Sequence, residues 1–388
     1  MRVLHVIDSL APGGAEKSLA IMAPGLVSRG ISLDIAYLVE REGVHSELES
    51  AGATLFNLSG APTRVAAVSQ IRKLVRSRRP DLVHTALFEA NIAGRLGSTL
   101  ARTPVVSTLA GLSYDRSHFS DPVPAWKMRM AQALDAVTAR MVRRLHAVAA
   151  HVAEEMAERL RIPRSRIDVI PRGRDPKQLG LRTPGRTRLA RDALGLRAGH
   201  RLLLAAARQE HKKGLDVLLE AAPSILARFP ETRIVVAGRE GSATAGLRSM
   251  LEERHLNERV LFLGHRSDLP ELLCAADLLV FPSRSEGFPG TLLEAMALET
   301  PIIASDLPSV REVVGSPPVA DLFPVGDSQR LATVAMASMG TPQKAKTTAE
   351  VARQRFLDQF TVDVITQRMA HFYQAAIRDG KGGRRSAE

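Results

Sequence analysis

The sequence predicts an α/β protein with two doubly wound parallel sheets, and three observations carry that prediction. Its 388 residues exceed what one ordinary hydrophobic core serves, given roughly 100 to 200 residues per domain. Short β-like runs alternate with helical patterns in the N-terminal part, the mark of βαβ units. After about residue 200 the same alternation begins again.

The first series reads RVLHVI (2–7), a helix over GAEKSLAIMAPGLVSRG (14–30), SLDIAYLV (32–39), a helix over SELESAG (46–52), DLVHTA (81–86) and PVVSTLA (104–110). The second reads RLLLAAA (201–207), a helix over LDVLLEAAPSILARF (215–229), TRIVVAG (232–238), RVLFLG (259–264), DLLVFP (277–282) and PIIAS (301–305). Between them Gly, Pro and Arg replace the β-like pattern, so a flexible polar linker is expected near residues 176–200. The expected domains are 1–180 and 181–360. A terminal helix over 361–380 is expected to pack back on the first, with a disordered tail over 381–388.

Hydrophobic residues at 45% and charged residues at 24% exclude a disordered or fibrous chain. The N-terminus has no long apolar stretch with a cleavage site, and no run approaches the roughly 20 apolar residues that span a bilayer. A cytoplasmic protein is expected, with the inner face of the membrane as a second location. The single cysteine, Cys274, lies among apolar residues and reads as packing.

Charge is uneven. Residues 1–190 hold 28 Lys and Arg against 17 Asp and Glu, a net +11, leaving +1 for the remainder. Such an excess suits nucleic acid, an anionic membrane surface or an acidic substrate, or else solvated helices. With 4% aromatic residues there are few stacking platforms, which argues against nucleic acid. The stretch 126–166 reads as helical, with Lys127, Arg129, Arg140, Arg143 and Arg144 among apolar positions, and fits an anionic headgroup surface or a helix packed on its own sheet.

The strongest local signal is FPSRSEGFPGTLLEAMALETPIIASDLPSVREVV (281–314), a strand, a Gly/Pro loop, a helix and a strand. Glu286 falls in the loop and Glu294 in the helix, at the strand end where open α/β sheets bind ligands. Backbone N–H groups around Pro289, Gly290 and Thr291 meet the helix dipole and suit a diphosphate, the carboxylates suit vicinal hydroxyls, and Gly287 and Phe288 join them in the expected donor-binding loop. In AAARQEHKKGLDVLLEA, Arg208 and Lys213 sit at a strand–loop–helix junction where two cations can neutralise a leaving diphosphate. Gly13 and Gly14 occupy the first strand–helix turn, and Gly264 ends LFLG.

These segments resemble the family 4 glycosyltransferases: SEGFPGTLLEAMALETPIIASDLPSVREV its E-x7-E segment, RQEHKKG its R-x4-K-G clamp, and GGAE its N-terminal glycine turn. VIPRGRDP is similar to its I-P-N-G-x-D segment, with Arg172 where asparagine is usual. The resemblance implies two Rossmann-like domains facing across a cleft, the GT-B fold, and retaining transfer of a hexose-type sugar from a nucleotide diphosphate donor. The acceptor is expected to be a glycan, a cell-envelope lipid or polysaccharide, or a small molecule.

By the same resemblance Glu286 contacts donor-sugar hydroxyls, Glu294 the ribose, and Arg208 and Lys213 the diphosphate. The loop holding Gly264 passes beside the base, and Gly13 and Gly14 face the donor phosphates. Neither a metal nor another cofactor is expected. Many relatives carry a histidine after the strand matching PVVSTL, where this chain has Ala110 and Gly111. His84, His118 and His211 are read as structural or solvated. The rival readings are a nucleotide-sugar epimerase and a non-enzymatic nucleotide-sugar or partner-binding protein.

Overall fold

The computed structural model describes residues 1–11, 13–112 and 124–382, the side chains of 380–382 excepted. His118 and residues 383–388 of the expected tail lie outside them. The chain divides into two compact units, Met1–Gly173 with Val362–Glu388, and Arg174–Thr361.

Unit 1 opens with β1 (Arg2–Ser9), α1 (Gly14–Ser28), β2 (Ser32–Val39), α2 (His45–Ser50), β3 (Thr54–Asn57), α3 (Arg64–Arg78), β4 (Leu82–Ala86) and α4 (Phe88–Leu100). It continues with β5 (Val105–Leu109), α5 (Ala125–Ala139), β6 (Leu145–Ala147), α6 (Ala150–Leu160) and β7 (Ile167–Val169). Among the described residues its sheet has seven strands in the order β3-β2-β1-β4-β5-β6-β7, the pairs all parallel. The strands read as apolar runs because helices cover both faces of such a sheet.

Unit 2 begins with α7 (Pro176–Leu179), α8 (Pro184–Ala193), β8 (Arg201–Ala206), α9 (Leu215–Arg228), β9 (Thr232–Ala237), α10 (Thr244–Glu253), β10 (Val260–Gly264) and α11 (Leu269–Ala275). Then come β11 (Leu278–Phe281), α12 (Gly290–Ala297), β12 (Ile302–Ser305), α13 (Pro308–Val314), β13 (Asp321–Phe323), α14 (Ser328–Gly340) and α15 (Pro342–Gln359). Its six described strands run in the order β10-β9-β8-β11-β12-β13, again in parallel pairs. The last helix, α16 (Val362–Gly382), returns to unit 1 and packs Ile365, Met369 and Tyr373 into its core beside Leu19, Leu26 and Ile35. In unit 2 Leu203, Leu218, Ile234, Val236, Val280 and Phe323 form the core, and Cys274 is buried as expected.

Several sequence expectations need correction. The boundary falls after Gly173, not 180, and the return after Thr361, not 360. Arg174 already belongs to the second unit because its N–H donates to Phe360 O at 2.9 Å and it bridges Thr361. The expected flexible linker is folded. Asp175 and Thr183 cap α7 and α8, each with proline at the start, and Arg186 and Arg191 pin α8 to Glu271 and Asp277. The stretch 126–166 is not one helix, because the buried run Leu145–Ala147 pairs with β5 and β7. Residues 381 and 382, assigned to the tail, continue α16.

Candidate functional site

In unit 2 the strand order reverses between β8 and β11, which are hydrogen-bonded neighbours. Their carboxyl ends therefore flank the crevice where such sheets bind ligands. The loop after β8 carries Arg208, a short 3-10 turn His211–Lys213, and Gly214. The loop after β11 carries Glu286. Lys213 Nζ donates to Glu286 Oε1 at 2.6 Å, and Ser283 Oγ donates to the same oxygen at 2.8 Å. Both charged side chains are largely buried, 17% and 12% exposed.

The two loops are clamped around this pair. Arg284 N–H donates to Lys212 O at 2.8 Å, and its guanidinium reaches both oxygens of Asp216 at 2.7 and 2.6 Å. Gly214 has φ of +64°, and a Cβ there would lie 2.0 Å from Pro282 O. Only glycine adopts that backbone without strain and leaves room for the neighbouring loop.

Glu294 is buried within α12 and accepts from Arg174 Nε at 2.6 Å. The same guanidinium lies over the start of α12, since a Cβ on Gly290 would fall 2.0 Å from Arg174 Nη2. The first amides of α12 and a cation thus occupy one place. Phe288 is buried against Phe360, with ring centroids 6.1 Å apart, and fixes the loop leading into the helix. Gly287 lies beside it in the loop, Pro289 is the N-cap residue, and Thr291 is half-buried in the first turn.

Arg208 stands apart from the pair. It is 59% exposed and ion-paired with Glu210 at 2.6 Å, and Glu210 also holds Lys212 at 3.2 Å. Gly264 has φ of +64°, and its carbonyl accepts from Gly238 N–H at 2.7 Å. His211 is exposed in the 3-10 turn. Among the described residues no three His, Cys, Asp or Glu side chains converge as metal ligands.

Gly13 and Gly14 belong to unit 1, whose strand order reverses between β1 and β4. Gly13 caps α1 with no side-chain bond, and Gly14 lies under the Arg172 guanidinium. Sequence reasoning missed two carboxyls here. Asp8, at the end of β1, accepts from Ala90 N–H at 2.6 Å. Burial raises its pKa to about 6, against the lowering effect of the Ala90 and Glu89 amides. Burial also raises that of Glu16, opposed by its own amide and by Arg172. The signal in the sequence was the position of Asp8 at the carboxyl end of the switch-point strand. Arg174 was likewise missed, although it fills the variable position of the I-P-N-G-x-D segment.

Deeper in unit 1 lies a buried network. His146 Nε2 meets Ile170 O at 2.7 Å, and a carbonyl only accepts, so that nitrogen carries the proton. His146 Nδ1 then accepts from Thr108 Oγ1 at 3.0 Å, Thr108 accepts from His84 Nε2 at 2.6 Å, and His84 Nδ1 accepts from Tyr373 OH at 2.7 Å. Every member is satisfied with both imidazoles neutral. Burial first, then neighbouring imidazoles, drives His84 well below its usual range, and burial takes His146 to about 4. His5 stacks on His84 at 4.5 Å, with its pKa lowered to about 3 mainly by burial. His84 is thus held inside this network by Tyr373 and Thr108.

A family model described as Glycosyltransferase Family 4 matches residues 12–178, and one described as Glycosyl transferases group 1 matches residues 187–355. The lipopolysaccharide core biosynthesis mannosyltransferase LpsB of Rhizobium meliloti is 29% identical over 61% of this chain and 68% of its own length. The 2-deoxystreptamine N-acetyl-D-glucosaminyltransferase of Streptomyces fradiae is 27% identical over 82% of this chain and 76% of its own. The structure of Anabaena Alr3699/HepE in complex with UDP and glucose superposes with a TM-score of 0.83 at 23% identity, covering 97% of this chain and all of that one. That likeness is one of fold, two Rossmann-like domains of the GT-B type.

Proposed function

Because the chain belongs to the family 4 glycosyltransferases, we propose that it moves a hexose-type sugar from a nucleotide diphosphate to an acceptor hydroxyl, with retention and without a metal ion. The observation that carries this reading is the buried Lys213–Glu286 pair at the switch point of unit 2, beside the start of α12.

Lys213 is the cation for the departing diphosphate, and Arg208 joins it by leaving Glu210. Together they neutralise the charge that develops as the bond between C1 and the phosphate oxygen breaks. Glu286 exchanges its ion-pair contact for donor-sugar hydroxyls, and Glu294 takes the ribose hydroxyls from within α12. The amides of Gly287, Phe288, Gly290 and Thr291, with Arg174 over Gly290, supply further diphosphate contacts. Gly264 passes the base, and Gly13 and Gly14 let the phosphates approach the chain closely.

The new bond forms between C1 and the acceptor oxygen on the face the diphosphate leaves. The acceptor's proton goes to the leaving phosphate oxygen, so no side-chain base is required. The name of the Rhizobium relative supports a cell-envelope glycan or lipid as acceptor. Turnover of UDP-, GDP- and ADP-sugars with EDTA present tests the whole reading, with the product anomer read by NMR. The donor's own anomeric configuration in the product is expected. Inversion, or dependence on added metal, sinks the mechanism. Tight donor binding without transfer makes the protein a non-enzymatic binder.

A further inference from the structure

We propose that unit 2 binds a phosphorylated small molecule in a cavity at the amino ends of its strands, the end of the sheet opposite its switch point. The cavity, of about 430 Å³, is lined by the starts of β8 and β11, the last turn of α14 and the first turn of α15. That volume lies in the range of small-molecule sites. Three cations line it, Arg182 from the turn before α8, Arg201 from β8 and Lys346 from α15, against two carboxylates, Asp277 and Glu299.

Both carboxylates are already engaged. Asp277 Oδ2 accepts from Arg191 at 3.0 Å and from Leu202 N–H at 2.7 Å, and Glu299 pairs with Arg353 at 3.4 Å. Arg182, Arg201 and Lys346 are left with no ion pair among the described residues. The two arginines are nonetheless held in place. Arg182 donates to Glu299 O at 3.0 Å and to Ala276 O at 2.8 Å, just past α12 and α11. Arg201 donates to Met339 O at 2.7 Å in the last turn of α14 and lies over the Phe229 ring. A guanidinium carries five N–H donors, so both arginines keep donors for a ligand among the described residues. Burial lowers the Arg182 pKa more than Cys274, Asp277 and Glu299 raise it, the mark of a buried charge short of counter-charge. The first amides of α15 add the positive end of a helix of 18 residues.

Three positive charges lining one cavity favour a ligand with more than one negative charge, and the guanidinium fork matches phosphate oxygens. A phosphate ester carries about −1.5 to −2 at pH 7. The site shares no residue with the switch point, so the proposal stands apart from the transfer reaction.

Inorganic pyrophosphate is the probe, titrated calorimetrically into the full chain, with acetate as the monoanion control. Lys346 is exposed, so Lys346→Glu should leave the melting curve unchanged while weakening this site about tenfold or more. Arg201→Gln with Lys346→Gln should weaken it on the order of 100-fold. The pyrophosphate that remains bound in Arg208→Ala with Lys213→Ala should be lost when Lys346→Glu is added, and UDP, GDP and ADP should bind Lys346→Glu as they bind the wild type. Pyrophosphate affinity that Lys346→Glu leaves unchanged in both backgrounds overturns the proposal. So does acetate binding as tight as that of pyrophosphate, or pyrophosphate binding abolished by Arg208→Ala with Lys213→Ala alone, which would put all of it at the switch point.

Discussion

The two units share a sheet plan, yet they hold their polar groups in opposite ways. At its switch point unit 2 presents formal ion pairs, Lys213 on Glu286 and Arg174 on Glu294, with their charges already formed. Unit 1 instead buries three imidazoles, His5, His84 and His146, whose lowered pKa values keep them neutral, and Asp8, whose pKa is raised to about 6. On the proposed function, a diphosphate and a diol would be met by the preformed charges of unit 2, which can exchange partners.

The largest expected effect breaks the charged side of that contrast. Lys213→Ala should lower kcat on the order of 1000-fold, as removal of a preorganised charge at a leaving group does, and should also cost up to about 3 kcal/mol in urea because Glu286 stays largely buried without that cation. A change confined to KM would mean that Lys213 only binds the ground state.

Next, Glu294→Ala leaves Arg174 buried without that carboxylate, and about 3 kcal/mol of unit 2 stability should disappear in denaturant titration. Combining Arg174→Met with Glu294→Leu should restore most of the stability but no donor binding. Recovered binding would show that the pair is scaffold and the ribose is held elsewhere.

Gly214→Ala should cost about 3 kcal/mol, from left-handed backbone plus the contact with Pro282, whereas Gly264→Ala should cost about 1 kcal/mol. Both have φ of +64°, but nothing lies within 4 Å of a Cβ at Gly264. Equal melting temperatures for the two variants would show that the loop after β8 yields readily and is not clamped.

The mildest effect sharpens the neutral side. The three imidazoles have folded pKa values below the ordinary 6.5, so the unfolded chain takes up protons that the folded one refuses. Their contribution is present above 6.5 and is lost as pH falls towards 4. Asp8 acts in the opposite sense, since its pKa is raised from 3.8 to about 6 and its contribution is lost as pH rises through 6. Glu16, also raised by burial, acts in the same sense as Asp8, so three imidazoles stand against two carboxyls and unit 1 should be less stable on acidification. Near-UV circular dichroism should show this selectively, because the single Trp and all three Tyr fall in unit 1. A signal unchanged from pH 7 to 4.5 would contradict the neutral network.

The same contrast explains what was legible in the sequence. Glu286 and Glu294 lie within one strand–loop–helix segment, and Arg208 and Lys213 within another, so each pair forms a local motif that resemblance to the family could pick out. Asp8, His84, His146 and Tyr373 are drawn from β1, β4, β6 and α16, and only the sheet order brings their elements together. Long strands such as β2 announced themselves, while β6, three residues long, was hidden in basic helical-looking sequence and β7, equally short, follows directly after it. The linker was misread because Gly, Pro and Arg suggested flexibility, although Asp-Pro and Thr-Pro are also helix-start signals.

The most direct test is calorimetric titration of UDP, GDP and ADP, and of the matching nucleosides, into wild type and into Arg208→Ala with Lys213→Ala. One nucleoside diphosphate should bind the wild type far more tightly than its nucleoside, and the double variant should lose that preference while keeping nucleoside affinity. A variant that still discriminates the diphosphate as the wild type does would contradict the assignment of the donor to the switch point of unit 2.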